Sequence, residues 1–310
     1  MPKALSEVWA AVAQAATANG VLRAGASDLT DAHASVFREW IDAGNHASMH
    51  YLARNRDVRL DPRRRFPWAR SAVAIIVPYS PERYTTAEDV VGNRIARYAL
   101  GDDYHDVLDR ILREVESALT AADPSIQTRR YVDSGPLSDR AVAAQAGLGW
   151  IGRNGMLIDP DLGSFFFIGV LLTSLENDLQ PEEVSDRCGE CTRCIDACPT
   201  DAILPNRTVA SERCISYLSI EHRGEIDPAL AGKLAGNLFG CDICQEVCPW
   251  NAAPAEGHPS FVPRERYGAT PVTDLLRFQQ ADFSTFFRKS AVKRARLAGM
   301  LRNAQLVTRE

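Results

Sequence analysis

Eight cysteines lie between residues 188 and 248, and they limit what this 310-residue chain can fold into more than any other feature does. The first four follow the pattern C-x2-C-x2-C-x3-C-P, which ends at Pro199. Two residues between ligands let a tight turn direct three thiolates at one iron–sulfur cubane, whereas three residues and a proline carry the fourth thiolate to a neighbouring cluster. The second four end in the same way, but 26 residues separate Cys214 from Cys241. The spacing predicts two [4Fe–4S] clusters and a reducing compartment.

The same pattern assigns each cysteine to a cluster. In bacterial two-cluster ferredoxins the last cysteine of each run binds the other cluster. Cluster one is then expected to be bound by Cys188, Cys191, Cys194 and Cys248. Cluster two is expected to be bound by Cys198, Cys214, Cys241 and Cys244. Disulfides are not expected in a cytosolic chain. Two zinc ions would also use eight thiolates, but this is not the spacing of zinc fingers.

The residues before Glu176 alternate between helical and strand-like patterns. Apolar residues at helical spacing predict helices over 4–18, 31–43 and 138–146, and a longer one that Asp102 caps and that ends near Ala121. Apolar runs predict strands over 71–79, 129–132, 156–158 and 165–173, the first of them buried on both faces. The chain is therefore expected to contain an α/β (α+β) domain over 1–176, a ferredoxin-like domain with two [4Fe–4S] clusters over 177–263, and a short, basic helical tail over 264–310.

Charge is distributed unevenly along the chain, whose formal net charge is −5. Seven basic residues and one acid lie between Arg288 and Glu310, so this segment carries +6 and the remainder −11. The segment from Arg56 to Arg70 holds six arginines and two aspartates. Each basic segment is either a solvated face or a phosphate-binding surface. The longest apolar run, 164–175, is too short to span a membrane, and the N-terminus has no export signal, so a cytoplasmic protein is expected.

One aspartate in the first domain is a candidate for chemistry. The domain has neither the G-x-G-x-x-G pattern of dinucleotide-binding folds nor a P-loop. Asp133 follows a predicted strand and precedes a Ser-Gly-Pro turn. Its carboxylate either caps that turn or projects into the cleft beyond the sheet. Asp139 is expected in the first turn of the next helix.

Six stretches between residues 49 and 251 resemble the epoxyqueuosine reductase family, in the order in which the family has them. They are MHYLARNRDVRLDPR, IARYALGDDYHDVL, YVDSGPLSDRAVAAQAGLGWIGRNGMLI, CGECTRCIDACPTDAI, RCISYLSIEHRG and GCDICQEVCPWN. The resemblance implies an oxidoreductase that binds cobalamin in its first domain and passes electrons to it through two clusters. The implied substrate is epoxyqueuosine at the wobble position of transfer RNA, whose epoxide is opened and whose oxygen is lost as water.

The resemblance also implies roles for particular residues. Asp133 is expected to be a buried carboxyl that donates a proton near neutrality. The implied cobalamin contacts are Arg56, Tyr98, Asp133, Asn154, Ser164 and Ser216. The implied partners are the anticodon stem-loop of transfer RNA and a low-potential electron donor. The protein is expected to act as a monomer away from membranes, with Arg63–Arg65 and Lys289–Arg302 as candidate phosphate contacts.

The tail departs from the longer members of the family, which continue into helical repeats. Residues 290–307 resemble the opening of the first repeat, and a single repeat cannot bury its own apolar face. This helix is therefore expected either to pack on the iron–sulfur domain or to be loosely held.

Three other functions are compatible with parts of the sequence. They are a reductive dehalogenase-like enzyme that also uses cobalamin, a non-catalytic iron–sulfur electron-transfer subunit, and an RNA-binding protein whose clusters are only structural. The absence of a twin-arginine signal and the motifs around Asp133 and Cys214 favour the reductase that acts on transfer RNA.

Overall fold

The first part of the chain is built on an antiparallel sheet. The computed structural model describes residues 4–29, 33–79 and 89–309. Four strands form the main sheet, namely β1 (Arg23–Asp28), β2 (Ser71–Pro78), β3 (Thr128–Tyr131) and β6 (Phe166–Thr173). Their order is β1-β2-β6-β3, and each strand is antiparallel to its neighbours. A smaller sheet pairs β4 (Trp150–Ile151) with β5 (Leu157–Ile158).

Helices cover both faces of the main sheet. Helices α1 (Trp9–Ala18) and α5 (Tyr104–Ala122) share one core with Val73, Ile75 and Val77 of β2. Helix α6 (Asp139–Gln145) shares the other core with the intervening residues of β2, which are Ala72, Ala74 and Ile76. Because successive side chains of a strand point to opposite faces, every residue of β2 is buried. The expectation of a strand buried on both faces is confirmed.

The N-terminal cap of α5 lies one residue later than the sequence suggested. Asp103 accepts a hydrogen bond from the backbone N–H of His105 at 3.1 Å, so Asp103 is the cap and the prediction of Asp102 is wrong. Asp102 instead pairs with Arg264 at 2.8 Å. The predicted apolar stripe of α5 is buried in the first core.

The remaining helices are short. The first domain also contains α2 (Ala34–Asp42), α3 (His50–Arg54) and α4 (Arg56–Leu60). Residues 31 and 32 of the helix expected over 31–43 lie outside the described residues. The cysteine-rich part contains α7 (Arg193–Asp196), α8 (Ile215–Ile220), α9 (Pro228–Ala231) and α10 (Ile243–Glu246). The tail contains α11 (Glu265–Ala269), α12 (Val272–Leu275), α13 (Gln280–Phe286) and α14 (Arg296–Val307). None of the described helices has the length and apolar character to cross a bilayer.

The basic tail packs firmly on the cysteine-rich part. Met300, Ala304 and Val307 of α14 enter a core that also contains Leu238 and Phe239. Asn303 is fully buried, and its side-chain amide donates to the backbone carbonyls of Ser219 and Leu238, both at 2.8 Å. Of the two expectations for this helix, packing on the iron–sulfur part is therefore correct.

Two strands, β1 and β4, were not predicted from the sequence. Strand β1 reads RAGASD, and its small and polar residues give no strand pattern. Gly25 explains part of this composition, because a Cβ there would lie 2.2 Å from the carbonyl oxygen of Ala146 at the end of α6. Strand β1 therefore depends on pairing with β2 and on close contact with α6, which a local pattern cannot reveal.

Candidate functional site

The eight cysteines collect into two neighbouring groups. Burial raises the pKa of Cys248, and the charges of Cys188 and Cys191 add to the rise. Burial raises the pKa of Cys241 to about 12, with contributions from Cys214 and Cys198. The thiols that act on each other are thus those that the spacing places at the same cluster. Burial raises the pKa of Cys244, and the charges of Cys241, Cys214 and then Cys194 add to the rise. Because Cys194 belongs to the first group and Cys244 to the second, the two groups are adjacent.

Hydrogen bonds reach individual sulfur atoms in both groups. The indole Nε1 of Trp150 donates to the sulfur of Cys188 at 3.5 Å, and the ring of Trp250 meets that of Trp150 edge to face at 5.0 Å. In the second group the backbone N–H of Ala202 donates to the sulfur of Cys198 at 3.3 Å. Such donors stabilise thiolate ligands and influence the reduction potential of a bound cluster.

Asp133 lies just beyond the end of β3 in a backbone conformation that few residue types other than glycine, asparagine and aspartate adopt. Its φ is +54°, the left-handed region, which costs an L-residue other than glycine about 1–2 kcal/mol. The carboxylate accepts a hydrogen bond from the hydroxyl of Tyr104 at 2.8 Å, and the Nε2 of His105 lies 3.9 Å from the same oxygen. Residues at the start of α5 therefore hold the carboxylate of Asp133.

The surroundings raise the pKa of both neighbours of Asp133, Tyr104 and His105. Burial and then the charge of Asp133 raise the pKa of Tyr104 well above its ordinary value, so its hydroxyl stays protonated and can donate. For His105, burial favours the neutral ring, but the hydrogen bond and charge of Asp103 and the charge of Asp133 outweigh it, and the pKa is raised. Helical spacing alone places Tyr104 in the apolar stripe of α5, and its ring does pack inward, stacked on that of Phe167 at 4.6 Å.

The expectation that Asp133 is a buried carboxyl is wrong, since its side chain is 70% exposed. The less exposed acid next to this loop is the partly buried Asp139, which is the first residue of α6 as predicted. Burial raises the pKa of Asp139 to about 7, and the charge of Asp133 contributes while Arg59 opposes the rise. The Oδ2 atom of Asp139 accepts a hydrogen bond from the backbone N–H of Asp133 at 3.0 Å.

Arg59 and Tyr51 border this loop, and the sequence analysis did not select either. The guanidinium of Arg59 donates to the carbonyl oxygen of Leu137 at 2.5 Å, while its Nε is buried without a partner in the described residues. Burial and then the charge of Glu221 raise the pKa of Tyr51, and Asp133 contributes. Both lie in the stretch MHYLARNRDVRLDPR that resembles the family, but this signal did not distinguish them from their neighbours.

A cavity of about 790 Å³ opens between the first domain and the cysteine-rich part. Ser48 and Tyr51 line it on one side, and Tyr217, Glu221 and Arg294 line it on the other. Its size is within the usual range for small-molecule sites. None of the six residues expected to contact cobalamin lines this cavity. Asp133 is nevertheless close to the cavity, because its charge helps to raise the pKa of two lining residues, Tyr51 and Arg294.

Two of the six residues lie near the second group of cysteines. Ser216 precedes Tyr217 in α8, and its backbone N–H contacts the sulfur of Cys214. The ring of Tyr98 lies 6.1 Å from that of Tyr104 and also 6.1 Å from that of Phe239. Burial and then the charge of Asp133 raise the pKa of Tyr98.

The other residues of the predicted set have their polar groups bonded within the protein. Asn154 is buried and donates to the carbonyl oxygen of Cys244 at 3.3 Å. Ser164 is buried and donates to Gln245 at 2.9 Å. Arg56 pairs with Asp42 at 2.8 Å on a partly exposed surface. The role of all six in binding cobalamin stays a prediction.

Family models match both parts of the chain. Residues 187–251 match the family described as "4Fe-4S double cluster binding domain", so the chain binds two clusters of this type. Residues 59–134 match "Epoxyqueuosine reductase QueG, DUF1730". An epoxyqueuosine reductase of Leadbetterella byssophila is 40% identical over 91% of this chain and 91% of its own length. The chain belongs to the epoxyqueuosine reductase family.

Other epoxyqueuosine reductases extend this relationship. The protein from Synechocystis sp. is 40% identical over 89% of this chain and 95% of its own length. A crystal structure of an epoxyqueuosine reductase with an epoxyqueuosine-modified stem-loop of tyrosine transfer RNA superposes with a TM-score of 0.87 at 28% identity, covering 98% of this chain and 81% of that one. An epoxyqueuosine reductase structure from Bacillus subtilis is described with its catalytic aspartate loop swung out of the active site. It has the same TM-score, sequence identity and coverage of both chains. Like the family, this chain is an oxidoreductase.

Proposed function

We propose that this protein reduces epoxyqueuosine to queuosine at the wobble position of transfer RNA, with electrons passed through its two clusters to cobalamin and a proton supplied by Asp133. One observation carries the proposal. In a chain of this family, Asp133 lies close enough to the cavity for its charge to act on the lining residue Tyr51, and the other side of the cavity is formed by α8, the helix that begins directly after the cluster ligand Cys214. Proton donor and electron source thus meet at one cleft.

The reaction needs two electrons and two protons. Both carbon–oxygen bonds of the epoxide break, a carbon–carbon double bond forms, and the oxygen leaves as water. Cobalamin, when bound, supplies the low-potential cobalt chemistry that no protein side chain offers. The chain itself must hold the cofactor and the nucleotide, exclude water, and hold a proton at the departing oxygen.

The residues around the cleft fit a corrinoid. The cavity volume of about 790 Å³ is near the upper end of the range for small-molecule sites. Corrinoids carry many amide groups, which both donate and accept hydrogen bonds. Ser48 and Tyr51 line the cavity and provide hydroxyl groups for such amides. We propose that Ser48, Tyr51 and Ser216 hold the amide periphery of the cofactor.

Asp133 is suited to hold and transfer a proton. Tyr104 fixes one oxygen of its carboxyl, while the side chain as a whole stays accessible. A proton donor has to be within hydrogen-bond reach of the atom that it protonates. The description of a swung-out aspartate loop in the Bacillus subtilis relative supports a loop that adopts more than one position in this family.

Electrons are proposed to reach cluster one first. Residues that flank its cysteines, including Arg187, Glu190 and Arg193, are exposed, whereas Phe239 and Asp242 beside the cluster-two ligand Cys241 are buried. Cluster two also lies next to the cleft. Arg187 packs over the ring of Trp250, and Arg193 acts on Cys248, so two arginines lie beside the ligands of cluster one. The low-potential donor is therefore proposed to be an acidic one-electron carrier protein.

The basic tail supports a proposal for the transfer RNA contacts. Lys293 and Arg296 are exposed at the mouth of the cavity and form no ion pair in the described part of the chain. Arg302 was expected to bind phosphate, but its guanidinium donates to the carbonyl oxygens of Leu218, His222 and Gly224. We propose that Lys293 and Arg296 bind the phosphates of the anticodon stem-loop, and that the enzyme acts as a monomer in the cytoplasm.

The deciding experiment supplies every proposed component. The protein is reconstituted anaerobically with iron and sulfide, loaded with cobalamin, reduced with dithionite, and incubated with an epoxyqueuosine-containing anticodon stem-loop. Mass spectrometry of the nucleosides should reveal the loss of one oxygen atom from epoxyqueuosine. Cluster-loaded protein that binds cobalamin but leaves the nucleoside unchanged would contradict the proposed function.

A matched pair of variants tests the role of Asp133. Asp133→Asn should lower turnover about 100- to 10,000-fold, the range by which general acids contribute, without loss of iron or bound cobalamin. Asp161→Asn is the control, because the side chain of Asp161 is equally exposed and lies away from the cleft in an ion pair with Arg23. Equal turnover of the two variants would exclude Asp133 as the proton donor.

A further inference from the structure

The loop that carries Asp133 is held at both ends by partly buried charged groups. At its start, Asp139 accepts the backbone N–H of Asp133 at 3.0 Å. Near its end, Arg59 donates to the carbonyl oxygen of Leu137 at 2.5 Å. The turn itself is tight, since a Cβ at Gly135 would lie 2.4 Å from the ring of Tyr131. The conformation of residues 133–137 therefore depends on two side chains from outside the turn.

The contact to Asp139 bears on the position of the Asp133 carboxyl more directly than the contact to Arg59 does. Asp133 has a positive φ, a conformation that persists in residues other than glycine only when the surroundings impose it. Its backbone N–H is directed at Asp139, so the hydrogen bond fixes the peptide whose rotation would take the carboxyl away from Tyr104. Without this acceptor, nothing else in the described residues binds the N–H of Asp133.

Asp139 keeps bonding capacity that the fold does not use. Its Oδ1 is buried and has no partner in the described residues, and the Nε of Arg59 is in the same situation. Buried polar groups are nearly always paired, and exceptions are typical of functional sites. The charged groups that act on Asp139 are Asp133, Arg59 and Arg140. A well-packed structural acid would have both oxygens bonded, so the arrangement indicates a role in the site.

We propose that Asp139 is a positioning residue for the reaction: its carboxylate holds the Asp133 loop in the conformation that presents the Asp133 carboxyl to the cleft. The inference rests on the proposed role of Asp133 but concerns a different residue. Hydrogen bonds to a charged acceptor are about twice as strong as those between neutral groups, so the ionised form of Asp139 holds the loop better than the neutral form. Because burial raises its pKa to about 7, the two forms exchange near neutrality.

Two variants separate the charge of Asp139 from its oxygen atoms. Asp139→Asn keeps an oxygen that can accept the N–H of Asp133 but removes the charge, and Asp139→Ala removes the acceptor. We expect kcat for the anticodon stem-loop to fall about fivefold in Asp139→Asn and about 50-fold in Asp139→Ala, with KM changed less than twofold. Asp274→Asn, the same change in the first turn of α12, is the control and should leave both constants unchanged.

Two readouts distinguish positioning from a merely structural role. The kcat of the unmodified protein should rise with pH through about 7 as Asp139 ionises, and Asp139→Asn should lose this limb of the profile. Hydrogen exchange of the peptide 131–138, measured on the cluster-loaded protein without substrate, should be fastest in Asp139→Ala. Iron and sulfide contents are compared first, and Asp139→Asn carries the test if Asp139→Ala does not fold.

Each outcome of these experiments has a definite meaning. Unchanged kcat and unchanged exchange in Asp139→Asn and Asp139→Ala would overturn the proposal. A pH limb that survives in Asp139→Asn would also overturn it, because the limb would then belong to another group. If Asp133→Asn is fully active, the proposed proton donor fails, but faster exchange of 131–138 in Asp139→Ala would still establish that Asp139 holds the loop.

Discussion

Replacing Trp150 by phenylalanine should change the reduction potential of cluster one and leave cluster two alone. The indole N–H of Trp150 donates to the sulfur of Cys188, and phenylalanine keeps the aromatic packing against Trp250 but cannot donate. Reduction places more negative charge on the cluster and its sulfur ligands, so a donor stabilises the reduced state more than the oxidised state. Trp150→Phe should therefore lower the potential of cluster one.

The size of the shift follows from the energy of one hydrogen bond. A single such bond contributes about 0.5–1.5 kcal/mol net, and only the part that differs between the two oxidation states counts. For a one-electron couple, about 1.4 kcal/mol corresponds to about 59 mV. A difference of about 0.5–1 kcal/mol gives a shift of about 20–40 mV to more negative potential.

The assay is an anaerobic redox titration of the cluster-loaded protein, followed by electron paramagnetic resonance. One of the two reduction waves should move and the other should stay within error. Trp250→Phe is the matched control, since it is the same change in the ring that lies 5.0 Å from Trp150, and the indole of Trp250 donates to no cysteine sulfur in the described part of the chain. The backbone hydrogen bond from Trp250 to Cys248 is kept in this variant. A shift of both waves, or the same shift in Trp250→Phe, would refute the reasoning.

Three further predictions concern the tail and the surface. Asn303→Ala leaves two buried carbonyl oxygens unpaired and should lower the free energy of unfolding by about 2–4 kcal/mol, measured by anaerobic urea denaturation. Replacing both Lys293 and Arg296 by alanine should weaken binding of the anticodon stem-loop and lower the slope of log K against log salt by about 1–2. Arg187→Glu should slow cluster reduction by an acidic plant-type ferredoxin about tenfold at low salt, but not reduction by dithionite.

Each of these predictions has its own control. Arg110→Ala, on the exposed face of α5, should leave the affinity for the stem-loop unchanged, and an equal loss there would indicate only an effect of net charge. Equal slowing with dithionite in Arg187→Glu would point to a damaged cluster and not to a donor surface. A loss of less than about 0.5 kcal/mol in Asn303→Ala would mean that water replaces the lost donors.

The iron–sulfur half could be predicted from the sequence because its information is local. Ligands two or three residues apart dictate the turns between them, and Cys188 to Cys198 need no distant partner to be recognised. The α5 stripe was equally accessible, because helical periodicity reports directly on burial. The error of one residue at its cap arose because both Asp102 and Asp103 are residues that suit an N-terminal cap. The ion pair between Asp102 and Arg264, which is far along the chain, engages Asp102 and is not visible in the local sequence.

The Asp133 loop could be predicted only in part, because its chemistry depends on tertiary contacts. The position of Asp133 at a strand end was readable, but its exposure was not, and the burial that makes Asp139 the unusual acid comes from packing of α6 on the sheet. Tyr104 belongs both to the apolar stripe and to the site, since its ring packs inward and its hydroxyl binds Asp133. No periodicity separates those two functions of one side chain.

The buried amide of Asn303 has a consequence for chain entropy. The 26 residues between Cys214 and Cys241 form a far longer loop than the two or three residues between ligands within each run, and closing it costs about 2 kcal/mol more by the logarithmic dependence on length. Asn303 binds the carbonyl of Ser219 near one end of this loop and that of Leu238 near the other. A single side chain from α14 thus shortens the effective loop, and the intervening segment can vary in length without separating the ligands.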